Sequence, residues 1–236
     1  MSDNQLKIRL MNSKLLRWGF SITRPWWFTE RVFKRYLKHA IPFINGRLLD
    51  VGCGCKPYEN LFSCDEYIGV DLSSSSNPDI VGDIRDLREL GNESFDSVLS
   101  NQVLEHVDEV EKVISEMYRV LKYDGYVCIT VPFIGRLHGM PHDYWRFSSS
   151  GIRYLLEKYN FSILQLEPMG GFVTTQLCLW HFFIYELCRQ SMITRVLLLL
   201  PTAIMNLLSI LIYRFDFDKS TPSNYIVIAQ KVRKVK

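Results

Sequence analysis

Short apolar runs alternate with amphipathic stretches through most of the chain. Runs bounded by turn residues predict six strands, at 47–51, 67–70, 79–81, 94–99, 126–131 and 161–167. Apolar residues three and four positions apart predict helices over 108–121 and from Ser148 onward. Strands that alternate with helices favour an α/β fold, with a doubly wound, Rossmann-like and mostly parallel sheet.

A long apolar insertion follows the sixth strand and precedes a seventh predicted strand at 225–232. Val196–Tyr213 has eighteen residues without charge, the length needed to cross a bilayer, and Phe172–Leu187 is aromatic and apolar. If the two flanking strands share one sheet, the insertion must leave and return on the same side, which excludes a single crossing. We therefore expect a helical pair.

Residues 172–214 are expected to contact a membrane surface by dipping into one leaflet, in a peripheral or monotopic manner. Three basic residues would then lie near the headgroups: Arg189, Arg195 and Arg214. The alternatives are a homodimer interface and additional core.

Length and charge suggest one main domain with two additions. We assign residues 46–171 and 222–236 to this domain, 172–221 to the apolar helical insertion, and 1–45 to an N-terminal basic arm and helix. Residues 1–47 carry a net charge of +8 and the remainder −5. Such an arm suits an anionic membrane or substrate, although a solvated helical face explains the charge equally well.

The sequence also indicates a compartment. No signal peptide is apparent, and six cysteines without CxxC spacing indicate a reducing, cytoplasmic setting.

A glycine turn at residues 50–54 ends the first strand and carries the clearest chemical signal. Gly52 and Gly54 allow a sharp turn or close approach of a ligand, and Asp50 stands at the strand's carboxyl end. Pro57 occupies the third glycine position of a dinucleotide fingerprint, so that match is incomplete. Asp50 would repel a phosphate and attract an ammonium group, as in S-adenosylmethionine. A turn used only for packing is the alternative.

Two further aspartates support a nucleoside ligand. Asp71 follows Gly52 by 19 residues and ends the second strand, which is where a carboxylate accepts from a ribose diol. Asp83 is placed to accept from an adenine amino group, with Ile84 packed on the ring. We expect no metal site, because buried small hydrophobes near the turn explain the nearby cysteines better than metal ligands do: Cys53, Cys55 and Cys64.

Six ordered motifs now make the sequence recognisable. DVGCG at 50–54, GVD at 69–71, GDI at 82–84, FDSVLSNQVLEH at 95–106, RVLKYDG at 119–125 and the strand at 126–131 resemble class I S-adenosylmethionine-dependent methyltransferases of the type 11 branch. The resemblance covers residues 46–171 and 222–232. It implies a seven-stranded sheet whose last strand is antiparallel, and S-adenosylmethionine as cofactor.

The resemblance also implies roles for individual residues. The methionine moiety would be held by the turn, the ribose by Asp71 and the adenine by its neighbours; the cofactor set is Asp50, Gly52, Cys53, Gly54, Asp71, Leu72, Asp83, Ile84 and Asn101. Asn101 would lie at the sulfonium end. For Glu105-His106 the family pattern favours a structural or cofactor-supporting role over catalysis.

The segment 135–147 after the fifth strand holds the candidate catalytic residues. Methyl transfer requires the acceptor to lose a proton, so His142 with Asp143, or His138, would serve as base. Alternatively, Asp143 pairs with Arg146 to fix the segment.

The same segment also indicates the class of methyl acceptor. The pattern His-Asp-Tyr-Trp-Arg-Phe at 142–147 also resembles methyltransferases found with bacterial surface-polysaccharide assembly. We therefore expect O-methylation of a sugar or lipid-linked glycan, a small-molecule or glycolipid substrate. The alternatives are C-methylation of a quinone or lipid, and a non-catalytic cofactor-binding partner protein at the membrane. A nucleic-acid partner is disfavoured, since the basic residues are confined to one arm and no recognition motif is present.

Overall fold

The computed structural model of the chain describes residues 21–24, 27–188 and 191–233. Residues 1–20 of the basic arm, Arg189 and the side chain of Arg195 lie outside the described part.

A seven-stranded sheet forms the centre of the fold, in the order β3-β2-β1-β4-β5-β7-β6. Its strands are β1 (Arg47–Val51), β2 (Glu66–Asp71), β3 (Ile80–Val81), β4 (Phe95–Asn101), β5 (Leu121–Pro132), β6 (Phe161–Met169) and β7 (Asn224–Lys231). The first five strands pair in parallel, whereas β7 is antiparallel to both β5 and β6. The prediction of a Rossmann-like, mostly parallel sheet with an antiparallel last strand is confirmed.

Five α-helices lie in the described residues: α1 (Trp27–Leu37), α2 (Val110–Val120), α3 (Ser149–Lys158), α4 (Phe172–Cys188) and α5 (Met192–Tyr213). Ser148 caps α3, because its Oγ accepts the backbone N–H of Gly151 at 3.1 Å. The chain from β1 to β4 is more irregular than the predicted alternation of strands and helices, with only short 3-10 turns at 59–61 and 74–76. Glycine, proline and serine are frequent there, and they are poor helix formers.

The core surrounds the central strands. Leu49, Val98 and Ile129 are fully buried on β1, β4 and β5. One face of α2 packs into the same cluster through Val113 and Met117. Because helices and loops cover both faces of these strands, the sequence shows them as apolar runs rather than alternating patterns.

The chain divides into two compact units. The sheet unit runs from Arg35 to Met169 and resumes at Thr221. The helical unit contains the described residues up to Lys34 together with Gly170–Ser220. Within the sheet unit, Met169 lies opposite Asn224, and Asn224 lies opposite Pro132 at the end of β5. The insertion therefore leaves β6 and returns to β7 at the same end of the strands. The insertion must then cross a membrane an even number of times, or not at all.

The helical unit has an inverted distribution of polarity. Asn206 is 1% exposed, and its Nδ2 donates to the carbonyl oxygens of Ile22 and Arg24 at 2.7 and 2.9 Å. Thr202 and Ser209, also on α5, are buried as well. Large apolar residues of α5 instead face outward: Ile193, Val196, Leu197, Leu200, Ile204, Leu207, Leu208 and Leu211. These outward residues do not add to the core.

One span in the described part of the chain, Val196–Tyr213, is long and apolar enough to cross a membrane. Length and composition alone are weak grounds, because core helices of soluble proteins meet the same criterion. Such core helices are mostly buried, whereas only 17% of this span is buried.

Candidate functional site

A cavity of about 470 Å³ opens at the carboxyl ends of β1, β2 and β4. This is the edge of an open parallel sheet where ligands bind. Its walls bring together six residues selected from the sequence: Gly52, Asp71, Leu72, Asp83, Ile84 and His142. Seven further residues complete the lining: Arg85, Gln102, Val103, His106, Val107, Asp108 and Tyr144.

The glycine turn after β1 is shaped by two left-handed residues. Gly52 has φ +73°, and a Cβ added there would lie 2.6 Å from Cγ2 of Val103. Gly54 has φ +50°, and a Cβ there would meet no protein atom within 4 Å. Only glycine adopts these angles without strain. The Cα of Gly54 therefore faces open space, whereas Gly52, which lines the cavity, also permits close packing of the turn on Val103.

Asp71 links the turn to the end of β2. Its Oδ2 accepts the backbone N–H of Gly54 at 2.9 Å, and its Oδ1 accepts that of Ser73 at 2.9 Å. The carboxylate is thus fixed in orientation, and each oxygen retains a lone pair that is free to accept from a ligand in the cavity that Asp71 lines. This arrangement suits acceptance from a pair of vicinal hydroxyls.

Asp50 lies beneath the turn rather than in the cavity wall. Only 3% of the residue is exposed, and the Tyr67 hydroxyl donates to its Oδ2 at 2.5 Å. Burial raises the pKa of Asp50 to about 7, against the opposing effect of the Tyr67 hydrogen bond. Cys53 is buried in the same turn, and its thiol faces the carbonyl of Gly54 at 3.4 Å. Both residues support the turn from inside.

Asp83 reaches the cavity but already has a partner. Arg85, which the sequence analysis did not select, donates from Nε and Nη2 to the Asp83 carboxylate at 3.0 and 2.6 Å. Its Nη1 donates to Asp108 at 2.7 Å. The Arg85 guanidinium holds the pKa of Asp83 below its usual range. Any adenine amino group would therefore share this carboxylate with Arg85.

Asn101 closes β4 and does not line the cavity. Its Oδ1 accepts from the Thr130 hydroxyl of β5 at 2.7 Å. The next residue, Gln102, has φ +56° and lines the cavity instead. Asn101 consequently braces the strand end at which Gln102 turns inward.

The segment 135–147 holds all three catalytic candidates, but only His142 lines the cavity. His138 and Asp143 are not among the lining residues. The Nδ1 of His142 lies 2.9 Å from the Tyr144 hydroxyl. Asp143 accepts from Arg146 at 2.5 and 2.9 Å and from the backbone N–H of His138 at 2.7 Å. These contacts hold the pKa of Asp143 well below its usual range. Asp143 is therefore ionised, and its contacts with Arg146 and His138 hold the segment in place.

Hydrogen bonds fasten this segment to the loop after β4. The Trp145 indole N–H donates to the carbonyl of Val107 at 2.7 Å, and the Tyr144 N–H donates to that of Glu105 at 2.8 Å. Sequence spacing did not predict these contacts, because the partners lie more than thirty residues apart. The result is a cavity wall built from two chain segments held in fixed register.

Solved proteins share this fold. The [4+2]-cyclase SpnF superposes with a TM-score of 0.58 at 19% identity, over 85% of this chain and 80% of that chain. A SAM-dependent methyltransferase from Archaeoglobus fulgidus gives 0.56 at 20% identity, over 85% and 94%. Phosphoethanolamine N-methyltransferase 2 of Haemonchus contortus, in complex with S-adenosyl-L-methionine, gives 0.55 at 19% identity, over 95% and 60%. Identities this low show the fold alone.

A match to a family of sequences supports the same class as the fold. Residues 49–129, from β1 to β5, match the family described as methyltransferase domain, type 11. The chain contains a class I S-adenosylmethionine-dependent methyltransferase domain, and S-adenosylmethionine is its cofactor. A search of curated protein sequences finds no match.

Proposed function

We propose that this enzyme transfers a methyl group from S-adenosylmethionine to a hydroxyl of a sugar or lipid-linked glycan. The observation that carries the proposal is His142, which lines the same cavity as the Gly52 turn and Asp71. The acceptor oxygen would form a bond to the methyl carbon as the carbon–sulfur bond breaks, and the acceptor would release a proton. A nearby histidine suits that proton because its ordinary pKa is close to neutral.

Tyr144 supplies the orientation that a base needs. When His142 donates from Nδ1 to the Tyr144 oxygen, its Nε2 keeps a lone pair for the acceptor proton. Asp143 and Arg146 would act as positioning residues, because their ion pair fixes the segment on which His142 lies.

A sugar acceptor is supported by the residues around His142. The aromatic side chains of Tyr144 and Trp145 are 47% and 45% exposed beside it. Flat aromatic faces with a polar group at one end suit a ring that is apolar on its faces and polar at its edge. The resemblance of 142–147 to methyltransferases of surface-polysaccharide assembly points to the same substrate class.

A membrane location is supported by the inverted polarity of α5. In water, an outward face of leucine, isoleucine and valine is unfavourable, whereas a lipid leaflet accepts it. We place the enzyme on the cytoplasmic face, with α5 lying in the interfacial layer. Arg214, exposed just beyond α5, would reach the headgroups. A second copy of the chain is the competing partner for this surface.

Methylation of a quinone or lipid carbon is the second candidate, because the same apolar face would bring the enzyme to such acceptors. Cofactor binding without methyl transfer is the third. The [4+2]-cyclase with this fold shows that the fold alone does not fix the reaction.

The acceptor is tested by incubating the purified protein with S-adenosylmethionine labelled in the methyl group and lipid-linked oligosaccharides extracted from bacterial membranes. We expect label in an O-methyl sugar after acid hydrolysis, and its loss in His142→Ala. His39→Ala is the matched control, since that histidine pairs with Glu167 outside the cavity. Label in the lipid carbon skeleton would favour the second candidate, and binding without label transfer the third.

The membrane contact is tested by flotation with vesicles of phosphatidylcholine and phosphatidylglycerol. Leu200→Glu, at a position 70% exposed on α5, should abolish flotation. Leu164→Glu, at an exposed position on β6, should not. A wild-type dimer in solution that Leu200→Glu converts to a monomer, with no flotation of either protein, would assign the face to a second copy.

A further inference from the structure

Three side chains next to the cavity form a cluster that the proposed methyl transfer does not use: Glu105, His106 and His138. Each offers one ligand atom, and the three atoms lie within 4.8 Å of one another. Glu105 and His106 belong to the turn after β4, whereas His138 comes from the segment after β5. The separation in sequence hides the cluster.

Glu105 is buried without a partner. Its side chain is 0% exposed, and neither carboxylate oxygen has a hydrogen-bond partner. Its Oε1 lies 3.9 Å from Nε2 of His106 and 3.8 Å from Nε2 of His138, too far for hydrogen bonds. A buried carboxylate left in this state costs free energy, so it requires compensation.

Both histidines present the nitrogen that a metal ion needs. His106 Nδ1 lies 2.7 Å from the carbonyl oxygen of His142, and His138 Nδ1 lies 3.2 Å from that of Arg136. A carbonyl oxygen only accepts, so each Nδ1 must carry the hydrogen, and each Nε2 keeps its lone pair toward Glu105. Histidines that bind metals are held in this way by an outer hydrogen bond.

The surrounding charge favours a cation. Arg146 is the nearby positive group, and Asp143 neutralises it through two hydrogen bonds. Once ionised, the Glu105 carboxylate would therefore give the cluster one net negative charge for a cation to neutralise. Zinc bonds of about 2.0–2.2 Å at tetrahedral angles place two ligand atoms about 3.4 Å apart, so the two nitrogen–oxygen separations of 3.9 and 3.8 Å would shorten by about half an ångström around one shared ion.

We infer that Glu105, His106 and His138 bind one divalent transition-metal ion of the zinc class, with an open coordination position. Two imidazoles and one carboxylate are a ligand set that zinc prefers. Because His106 also lines the cavity, the ion would border the reaction space. If the proposed function holds, an acceptor hydroxyl at the open position would lose its proton more readily. The metal site itself does not depend on that function.

The site is tested by titrating chelator-treated full-length protein with zinc in competition with a chromophoric chelator. We expect one zinc per chain. Glu105→Gln, which keeps the side-chain shape, should weaken binding at least about 10-fold, since even loss of an outer-shell partner costs that much. His138→Gln, at a half-exposed position, should do the same and serves if Glu105→Gln does not fold. His39→Gln, the histidine paired with Glu167, should bind like wild type.

Cysteine ligands are distinguished by replacing zinc with cobalt, because cobalt–thiolate bonds give an intense near-ultraviolet absorption band that imidazole and carboxylate ligands lack. Absence of zinc binding would overturn the inference, as would this band together with wild-type affinity in Glu105→Gln and His138→Gln. Calorimetry with S-adenosylmethionine in the presence of chelator tests the cofactor site separately, so failure of one site is not mistaken for failure of the other.

Discussion

The Asp71 carboxylate can serve two tasks. It accepts the backbone N–H groups of Gly54 and Ser73, which holds the turn, and its remaining lone pairs are available to a ligand in the cavity that Asp71 lines. A residue with both tasks tolerates little change, because even a conservative substitution alters the turn and the ligand contact together.

Asp71→Ala should therefore weaken S-adenosylmethionine binding by roughly 10- to 150-fold, the cost of a lost hydrogen bond to a charged group of ~1.5–3 kcal/mol. Calorimetric titration measures the effect, with NADH as the negative ligand. Asp65→Ala, an exposed aspartate before β2, provides the comparison. Unchanged affinity in Asp71→Ala would remove the ribose role from this residue.

Asp50 predicts a pH dependence of stability. Its carboxyl releases a proton near pH 4 in the unfolded chain but near pH 7 in the folded protein. Between these values the folded state holds the extra proton, so the free energy of unfolding falls as pH rises from about 4 to 7. The contribution is up to about 4 kcal/mol, and it is fully lost above pH 7.

Asp50→Asn should remove this component, because the amide does not titrate. The measurement is denaturant unfolding at a series of pH values between 4 and 8, comparing the two proteins. Parallel curves would mean that Asp50 ionises normally in the folded state.

At the scale of the element, the glycine turn contains one closely packed position, Gly52, and one open position, Gly54. Gly52→Ala should cost about 2–5 kcal/mol, from the left-handed backbone and the collision with Val103. Gly54→Ala should cost only about 1–2 kcal/mol, from the backbone alone, because its Cβ has free space. Urea unfolding of both variants tests the difference, and an equal cost would contradict it.

The polar residues of α5 are buried, so replacing one of them should cost more stability than replacing an exposed leucine. Asn206→Ala should destabilise the protein by about 1–3 kcal/mol, because the carbonyls of Ile22 and Arg24 lose their donor. Leu207→Ala, one residue along and half-exposed, should change stability by less than ~0.5 kcal/mol. Thermal unfolding in mild detergent compares the two, and a larger loss from Leu207→Ala would reverse the assignment of inner and outer faces.

Hydropathy identified α4 and α5 as helices but not the direction of their faces. A helix that is apolar nearly all round gives little periodic signal, and its few polar residues then mark the inside. Their inward position depends on partners such as Ile22 and Arg24, which lie far away in the sequence.

At the scale of the whole molecule, most of the sheet could be predicted from sequence. Strands buried on both faces leave apolar runs, and β1 was placed at the observed residues. The cluster of Glu105 and His138 could not be predicted, because it depends on how two loops meet. The same applies to Arg85, whose contact with Asp108 spans 23 positions.

The topology also makes the insertion separable. Met169 and Asn224 are paired neighbours, so a tight turn can replace Gly171–Thr221 without changing the register of β6 and β7. A chain shortened in this way, and lacking residues 1–34, should still bind S-adenosylmethionine but no longer float with vesicles. Calorimetry and flotation test both halves of the prediction. A folded but non-binding product would show that the cofactor site needs the helical unit.

Trp145 is the only tryptophan in residues 35–169 and 221–236, since the other four lie at 18, 26, 27 and 180. Its indole is bonded to Val107, a residue of the cavity wall. The sheet unit thus carries an intrinsic fluorophore attached to the site it would report on. In a variant whose other four tryptophans are replaced, the fluorescence of Trp145 would report when a ligand occupies the cavity. Ligands could then be screened without a label.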